Sequence, residues 1–317
     1  MPDPPAFASR FAVVRAPSGL GLRASGVQRL GDALLEHRLG EALRARIATT
    51  VAPPLASGIR DPASGVLNGP EVAAYAVSLA GAVGAVLDAG EVPLVLGGDC
   101  SVLLGGALAL RRRGAAGLLF LDGHADFYQP SAEPSGEAAS MDLALITGHG
   151  PPAVGDLEGR SPLVRPEHTV IIGFRDAEEQ ARDGSQPLPD TLLALDLGAV
   201  REAGARTAAE HALAHLTRRG APDRFWVHVD ADVLDDSIMP AVDYRQPGGL
   251  SAEELATILA AAMATRDVAG VEVTIYNPTL DPAGAAGAAL AGALARGLGG
   301  VLPDLRPGPR SGESAGA

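Results

Sequence analysis

Leu119-Phe-Leu-Asp-Gly-His-Ala-Asp126 is an apolar run that ends in three metal-capable side chains, Asp122, His124 and Asp126, at every second position. In an extended backbone alternate side chains share a face, so the spacing predicts a comb of ligands at the carboxyl end of a strand. Phe225-Trp-Val-His-Val-Asp-Ala-Asp232 repeats the design with Asp230 and Asp232. Five ionisable groups gathered at strand ends repel one another unless the carboxylates are protonated or a cation neutralises them, and a cation is the simpler solution. Oxygen ligands with one or two imidazoles suit Mn²⁺ at about six-coordinate geometry; structural zinc favours thiolates and imidazoles in a closed tetrahedron. One carboxylate from each strand can bridge two ions, and a water held between them would have its pKa lowered towards neutrality, the chemistry of a metal-dependent hydrolase. A lone D-x-H-x-D is a moderate signal, because acids commonly end strands and begin turns. Two such combs on buried strands make a purely structural reading poor.

The elements that must position these combs read as α/β. Short apolar runs alternate with longer helical patterns, the signature of βαβ units and a largely parallel sheet. Strands are predicted at Phe11 to Arg15, Val92 to Leu96, Gly117 to Leu121, Thr169 to Phe174, Leu192 to Leu195, Phe225 to Val229 and Gly270 to Val273. Helices are predicted at about Glu71 to Ala89, Ser101 to Arg113, Ala208 to Arg219 and Ala252 to Ala264, with capping boxes at Thr207-Ala-Ala-Glu210 and Ser251-Ala-Glu-Glu254. No linker or fixed-period repeat divides the chain, so residues 1–302 read as one domain and 303–317, rich in Pro, Gly, Ser and Arg, as a loose tail. Gln129 to Glu137, poor in apolar residues, reads as a loop at the mouth of the site.

Composition narrows the partners. A net charge of -13 disfavours phosphate backbones and anionic lipid surfaces and leaves a small-molecule substrate as the better fit. Hydrophobic residues at 47% suffice for a sizeable core, and the single cysteine, Cys100, allows no intrachain disulfide and is compatible with a reducing compartment. The start lacks the pattern of a signal peptide, and the most membrane-like stretch, Ala283 to Gly300, is too rich in Gly and too weakly hydrophobic to read as a span. The expected location is cytoplasmic.

Four motif regions then occur in order: Gly97-Gly-Asp-Cys-Ser101, Asp122-Gly-His-Ala-Asp126, Asp230-Ala-Asp-Val-Leu-Asp235 followed by Pro247-Gly-Gly-Leu250, and Tyr276-Asn-Pro278 with Asp281. In these the chain resembles the arginase and agmatinase (ureohydrolase) family from about Phe11 to Gly300. The resemblance implies a three-layer α/β/α fold with a mainly parallel eight-stranded sheet, a binuclear Mn²⁺ centre, trimeric or hexameric homo-oligomers, and hydrolysis of a carbon–nitrogen bond in a linear guanidino or amidine compound by metal-bound hydroxide. It further implies that Asp122 and Asp230 bridge both ions, that Asp126 and Cys100 complete one site, and that His124 and Asp232 complete the other. Cys100 stands where the family has histidine, and thiolate is a softer ligand than imidazole and a poorer match to Mn²⁺. Cys100 has two readings here, ligand or small buried filler.

Other departures bear on substrate. Ile275 occupies the position of the family's guanidinium-binding glutamate and offers no carboxylate to a cation. Ala139 stands where arginases often carry a proton-shuttling histidine. Glu137, on the loop above the site, and His149, in Thr147-Gly-His-Gly150, are the candidates for proton transfer beside Asp126; a solvated glutamate and a satisfied histidine are the plainer readings. Glu178 aligns with an acidic substrate-side position and equally suits a helix first turn. Ser135, in the same segment as Ala139, joins Glu178 and Ile275 on the substrate side. Glu272 reads as a partner that orients a ligand, and His228 as a packing or supporting residue below the second comb. The alternative function is a catalytically weakened homologue that binds metal or a small molecule; deacetylase chemistry on a related fold fits the motifs less well.

Overall fold

The computed structural model describes residues 11–299. The predicted tail 303–317 lies outside them, as do both ends of the predicted domain. Eight strands form one sheet: β1 (Phe11–Arg15), β2 (Arg46–Thr50), β3 (Val92–Leu96), β4 (Gly117–Leu121), β5 (Thr169–Ile172), β6 (Leu193–Leu195), β7 (Phe225–Asp230) and β8 (Val268–Thr274). Their order is β2-β1-β3-β8-β7-β4-β5-β6, and every pairing is parallel.

Alternation along the strands sends apolar side chains to two cores. Phe11 and Val13 join the helices Leu30–Glu36, Ala205–Leu216, Ala252–Thr265 and Ala285–Leu298 on one face. Ala12 and Val14 join Gly69–Asp88 and Leu103–Arg111 on the other. The result is a three-layer α/β/α sandwich, in which strands covered on both faces read as continuous apolar runs. Helix Gly69–Asp88 is long and apolar enough to cross a membrane by length and composition, and here Val72, Tyr75, Leu79 and Val83 are buried in the core. It, rather than the stretch Ala283 to Gly300, is the most membrane-like element among the described residues.

Several local expectations change. The β2 edge strand escapes the sequence reading because Arg-Ile-Ala-Thr-Thr is largely exposed and has no apolar face. β5 stops at Ile172, two residues early, where Gly173 turns to φ 99°. The capping box at Ser251 and Glu254 is present with both hydrogen bonds. The one at Thr207 is not: that helix starts at Ala205 behind Gly204, which places Thr207 inside the first turn.

The strand order locates the site. The chain passes from β3 to β4 while β8 and β7 lie between them, so the carboxyl ends of β3, β8, β7 and β4 face a common crevice. Such crossover points are where open parallel sheets bind ligands.

Candidate metal centre

All four of these strands end in the same local device. Asp99 Oδ1 accepts from the Ser101 amide (2.9 Å), Asp122 Oδ1 from His124 (2.7 Å), Asp230 Oδ1 from Asp232 (2.8 Å) and Asn277 Oδ1 from Thr279 (3.1 Å). A side chain that bonds the amide two residues on competes with the ladder and turns the chain over the sheet edge. The convergence of Asp122, His124 and Asp126 therefore comes from a turn and not from strand alternation. The β4 ladder stops at Leu121, and Asp126 sits at φ 45°, a left-handed conformation that Asp tolerates better than most residues. Gly98 permits the turn after β3: a Cβ there would lie 1.6 Å from the Ser18 carbonyl oxygen. Ser18 in turn donates its hydroxyl to Asp99 (3.0 Å).

The two combs stand side by side, because β4 pairs with β7. His124 Nδ1 lies 2.9 Å from Asp232 Oδ2 and 3.8 Å from Asp122 Oδ1. Cys100 donates to Asp230 Oδ2 (2.7 Å). His228 Nδ1 meets Glu272 Oε1 at 2.7 Å, while its Nε2 stands 3.7 Å from Asp122 Oδ2. Asp122, Asp230, His228 and Glu272 are almost wholly shielded from solvent.

This crowding moves the titrations apart. Burial, then the Asp232 charge, lifts the Asp122 carboxyl to about 6. Burial and neighbouring carboxylates push Asp126 and Asp230 well above the usual carboxylate range. Asp232 goes the other way: burial alone would raise it, but the His124 charge and hydrogen bond hold it at about 2. Burial likewise opposes protonation of His124, and the Asp232 and Asp122 carboxylates reverse that, raising it to about 9. Burial pushes the Cys100 thiol upward, reinforced by the Asp230 charge.

The donors fit divalent cations. Three groups bring their ligand atoms within 4.8 Å of one another: Cys100, Asp122, His228 and Asp230; Cys100, Asp126 and Asp142; and Asp122, His124 and Asp232. Asp122 Oδ2, Asp142 Oδ2 and His228 Nε2 are buried without any hydrogen-bond partner. Orphaned atoms of this kind are costly unless something binds them, and cations at the first two donor groups would satisfy all three. Cys100 and Asp126 share a group with Asp142, a donor outside the implied set.

Above the donors opens a cleft of about 320 Å³ lined by His124, Asp126, Asp230 and Asp232 at its base. The loop 129–137 forms part of its wall through Ala132, Glu133, Pro134 and Glu137. Glu137 is buried rather than solvated, with its oxygens accepting from the Arg23 amide (2.7 Å) and the Tyr244 hydroxyl (2.6 Å). Ile275 and Ala139 both line the cleft. The remaining candidates fall elsewhere. His149 is exposed, bonded to Thr147 Oγ1 (3.1 Å) and tilted against Phe127, outside the cleft lining. Glu178 points away because the helix Ala177–Asp183 presents Glu179 and Asp183 to the cleft instead. Ser135 is tied to Glu133 Oε2 (2.7 Å) and lines a separate depression.

Sequence reasoning missed Asp142, Asp176 and Tyr244. Asp142 opens the short helix Asp142–Ile146, with no spacing to mark it as a donor. Asp176 accepts from the Ala125 amide (3.1 Å) and so braces the D-x-H-x-D turn; its place three residues after Gly173, at the end of β5, was a usable signal.

The Arginase family profile matches residues 24–299. The arginase of Staphylococcus aureus (strain MRSA252) is 29% identical over 220 residues, covering 69% of this chain and 71% of that protein. The arginase of Bacillus caldovelox is 31% identical over 204 residues, covering 64% and 67%. The solved structure of the latter superposes with a TM-score of 0.82 at 25% identity, over 93% of this chain and 100% of that one. Proclavaminate amidino hydrolase from Streptomyces clavuligerus shares the fold, with a TM-score of 0.65 at 18% identity over 91% and 92%. With the sheet order, the paired acidic strand tips and a match over nearly the whole described length in agreement, this chain is a member of the arginase family.

Proposed function

We propose that the chain hydrolyses a carbon–nitrogen bond in a small, linear, amidine-like molecule, using divalent cations held by the strand tips. The observation that carries this reading is the set of buried donors with orphaned atoms, Asp122 Oδ2 among them, beneath an open cleft. When bound, the cations supply the positive charge that makes water nucleophilic near neutral pH and polarises the scissile group. The outer donors, Asp122, His124 and Asp232, are hard and suit Mn²⁺. Asp232 is kept ionised by His124, and its Oδ1 is also fixed by the Gly123 amide (2.9 Å), so this carboxylate is oriented before anything binds.

The cleft wall selects the substrate. Glu133, Asp176, Glu179, Asp183 and Asp243 line it, a negative rim that favours a positively charged distal end. At the reacting end Ile275 presents an apolar surface. It offers nothing to pair a guanidinium bidentately, which favours a less basic scissile group. The amidino hydrolase named among the fold neighbours supports the reaction class.

Asp232→Ala tests the reading against a panel of guanidino, formimino and simple amide compounds that carry a distal amine. Wild-type turnover on at least one of them, lost by two or more orders of magnitude in the variant, is expected. Turnover unchanged by the substitution rules the reading out. The second reading, a binder that has lost its chemistry, is favoured by the apolar Ala139 and Ile275 in the cleft; it predicts metal uptake without turnover on any member of the panel.

A further inference from the structure

One imidazole of the cluster has no part in that function. His228 is fully buried on β7, and Glu272 holds its Nδ1 at 2.7 Å. A carboxylate on Nδ1 holds the proton of that nitrogen in place and leaves Nε2 as the one that can turn a lone pair to an ion once its own proton has left, the usual arrangement of a ligating histidine. Phe120 stacks on the ring at 4.5 Å and 11°, which fixes its plane. Nε2 faces Asp122 Oδ2 at 3.7 Å, too far for a hydrogen bond, and neither atom has another partner. Atoms that share one ion at about 2.0–2.3 Å stand roughly 3–4.6 Å apart. The donor atoms of His228, Asp122, Asp230 and Cys100 all lie within 4.8 Å of one another.

We propose that His228 is itself a metal ligand and that it completes, with Cys100, Asp122 and Asp230, a deep four-donor site for Zn²⁺ or Co²⁺. The inference rests on the metal-dependent reading above and changes the donors and the preferred ion of one position. One sulfur, one nitrogen and two oxygens match the ligand types and tetrahedral number of zinc, and the thiolate turns the site away from Mn²⁺. Ion binding displaces the protons held there: the thiol proton that Cys100 now donates to Asp230 Oδ2 and the proton on His228 Nε2 both leave to solvent, and the freed lone pairs of sulfur and nitrogen bind the metal. The deep position thus becomes a mixed site beneath a hard outer one.

The test uses the full chain, stripped with chelator and reloaded with one equivalent of Zn²⁺ or Co²⁺. X-ray absorption at the metal edge is expected to find one sulfur and one imidazole nitrogen on the same ion. The Co²⁺ form should show a thiolate-to-metal charge-transfer band that Cys100→Ser abolishes, and His228→Asn should weaken Co²⁺ binding by at least about tenfold. Sulfur without imidazole, or imidazole without sulfur, overturns the proposal and leaves the metal-dependent function standing. A wild-type chain that takes up no ion overturns both. The absorption measurement needs only the wild-type chain, so it decides the matter even if the His228 variant fails to fold.

Discussion

Removing the cations should change how stability depends on pH, and the size of the change follows from Asp122. Its carboxyl titrates at about 6 in the fold against 3.8 when unfolded. That difference disfavours the ionised folded form by about 3 kcal/mol. Between these values the folded state binds more protons than the unfolded state, so the stability of the stripped protein falls as pH rises through about 4 to 6. Asp126 and Asp230, also raised, push in the same direction. His124, raised to about 9, and His228, raised to about 10, contribute stability that is complete below 6.5 and lost as pH climbs through those higher values. Asp232, lowered to about 2, contributes stability present above 3.8 and lost only as pH falls towards 2. A cation at a hundredfold its dissociation constant at pH 7.5 adds about 2.7 kcal/mol, worth roughly 4 °C in Tm for a domain of this size. At pH 5 Asp122 is ionised in roughly one molecule in ten, which alone weakens binding about tenfold and cuts the gain to about 1.4 kcal/mol; the His124 imidazolium, raised to about 9, must also lose its proton, so the gain at pH 5 is smaller still. Calorimetric melts at the two pH values, with chelator and with Mn²⁺ or Zn²⁺, check this. Equal cation-induced shifts at pH 5 and 7.5, or none at either, would refute the reasoning.

Further outcomes follow from single positions. Ile275 sits in the cleft at φ 72°, a strained conformation for a β-branched residue, with its amide bonded to the Gly98 carbonyl (2.8 Å). Ile275→Glu should raise turnover of guanidino compounds relative to less basic ones, read as a change in the ratio of kcat/KM; an unchanged ratio counts against the assignment of that wall. A Cβ at Gly270 would meet Trp226 Cζ3 at 2.1 Å, so Gly270→Ala should force β7 and β8 apart and lower stability by about 1–3 kcal/mol in denaturant melts. Ser251→Ala removes a complete capping box at a residue outside the cleft lining. It should cost about 1 kcal/mol and leave metal affinity unchanged.

Much of the site was legible because its chemistry is local in sequence. Asp122, His124 and Asp126 fall within five residues, as Asp230 and Asp232 fall within three, and the apolar runs before them mark β4 and β7. Their adjacency in the sheet was not legible, because β7 is inserted beside β4 from about a hundred residues downstream. Nor was the turn geometry: alternation along a strand led to these residues by the wrong route, since backbone amides bonded to Asp122 and Asp230 do the positioning. Asp142 escapes, and Glu272 reads as an orienting partner without its mate His228, because both depend on tertiary packing between elements that share no motif. Glu178 and Glu179 differ by one helical step, about 100° of rotation, and periodicity in so short a helix cannot choose between them. β2 was invisible for a similar reason, as an edge strand with a polar surface carries no alternation to read.

The most direct test is the metal content of the stripped and reloaded chain, measured by elemental analysis after gel filtration, beside that of the double variant Asp122→Asn with Asp230→Asn. These two carboxylates belong between them to two of the three donor groups, and Asp122 belongs to both. The wild type should retain at least one divalent ion per chain, and the double variant, checked as folded by circular dichroism, should retain far less. A wild type that emerges free of metal, or a variant that retains as much as the wild type, contradicts the claim that these strand tips exist to hold cations.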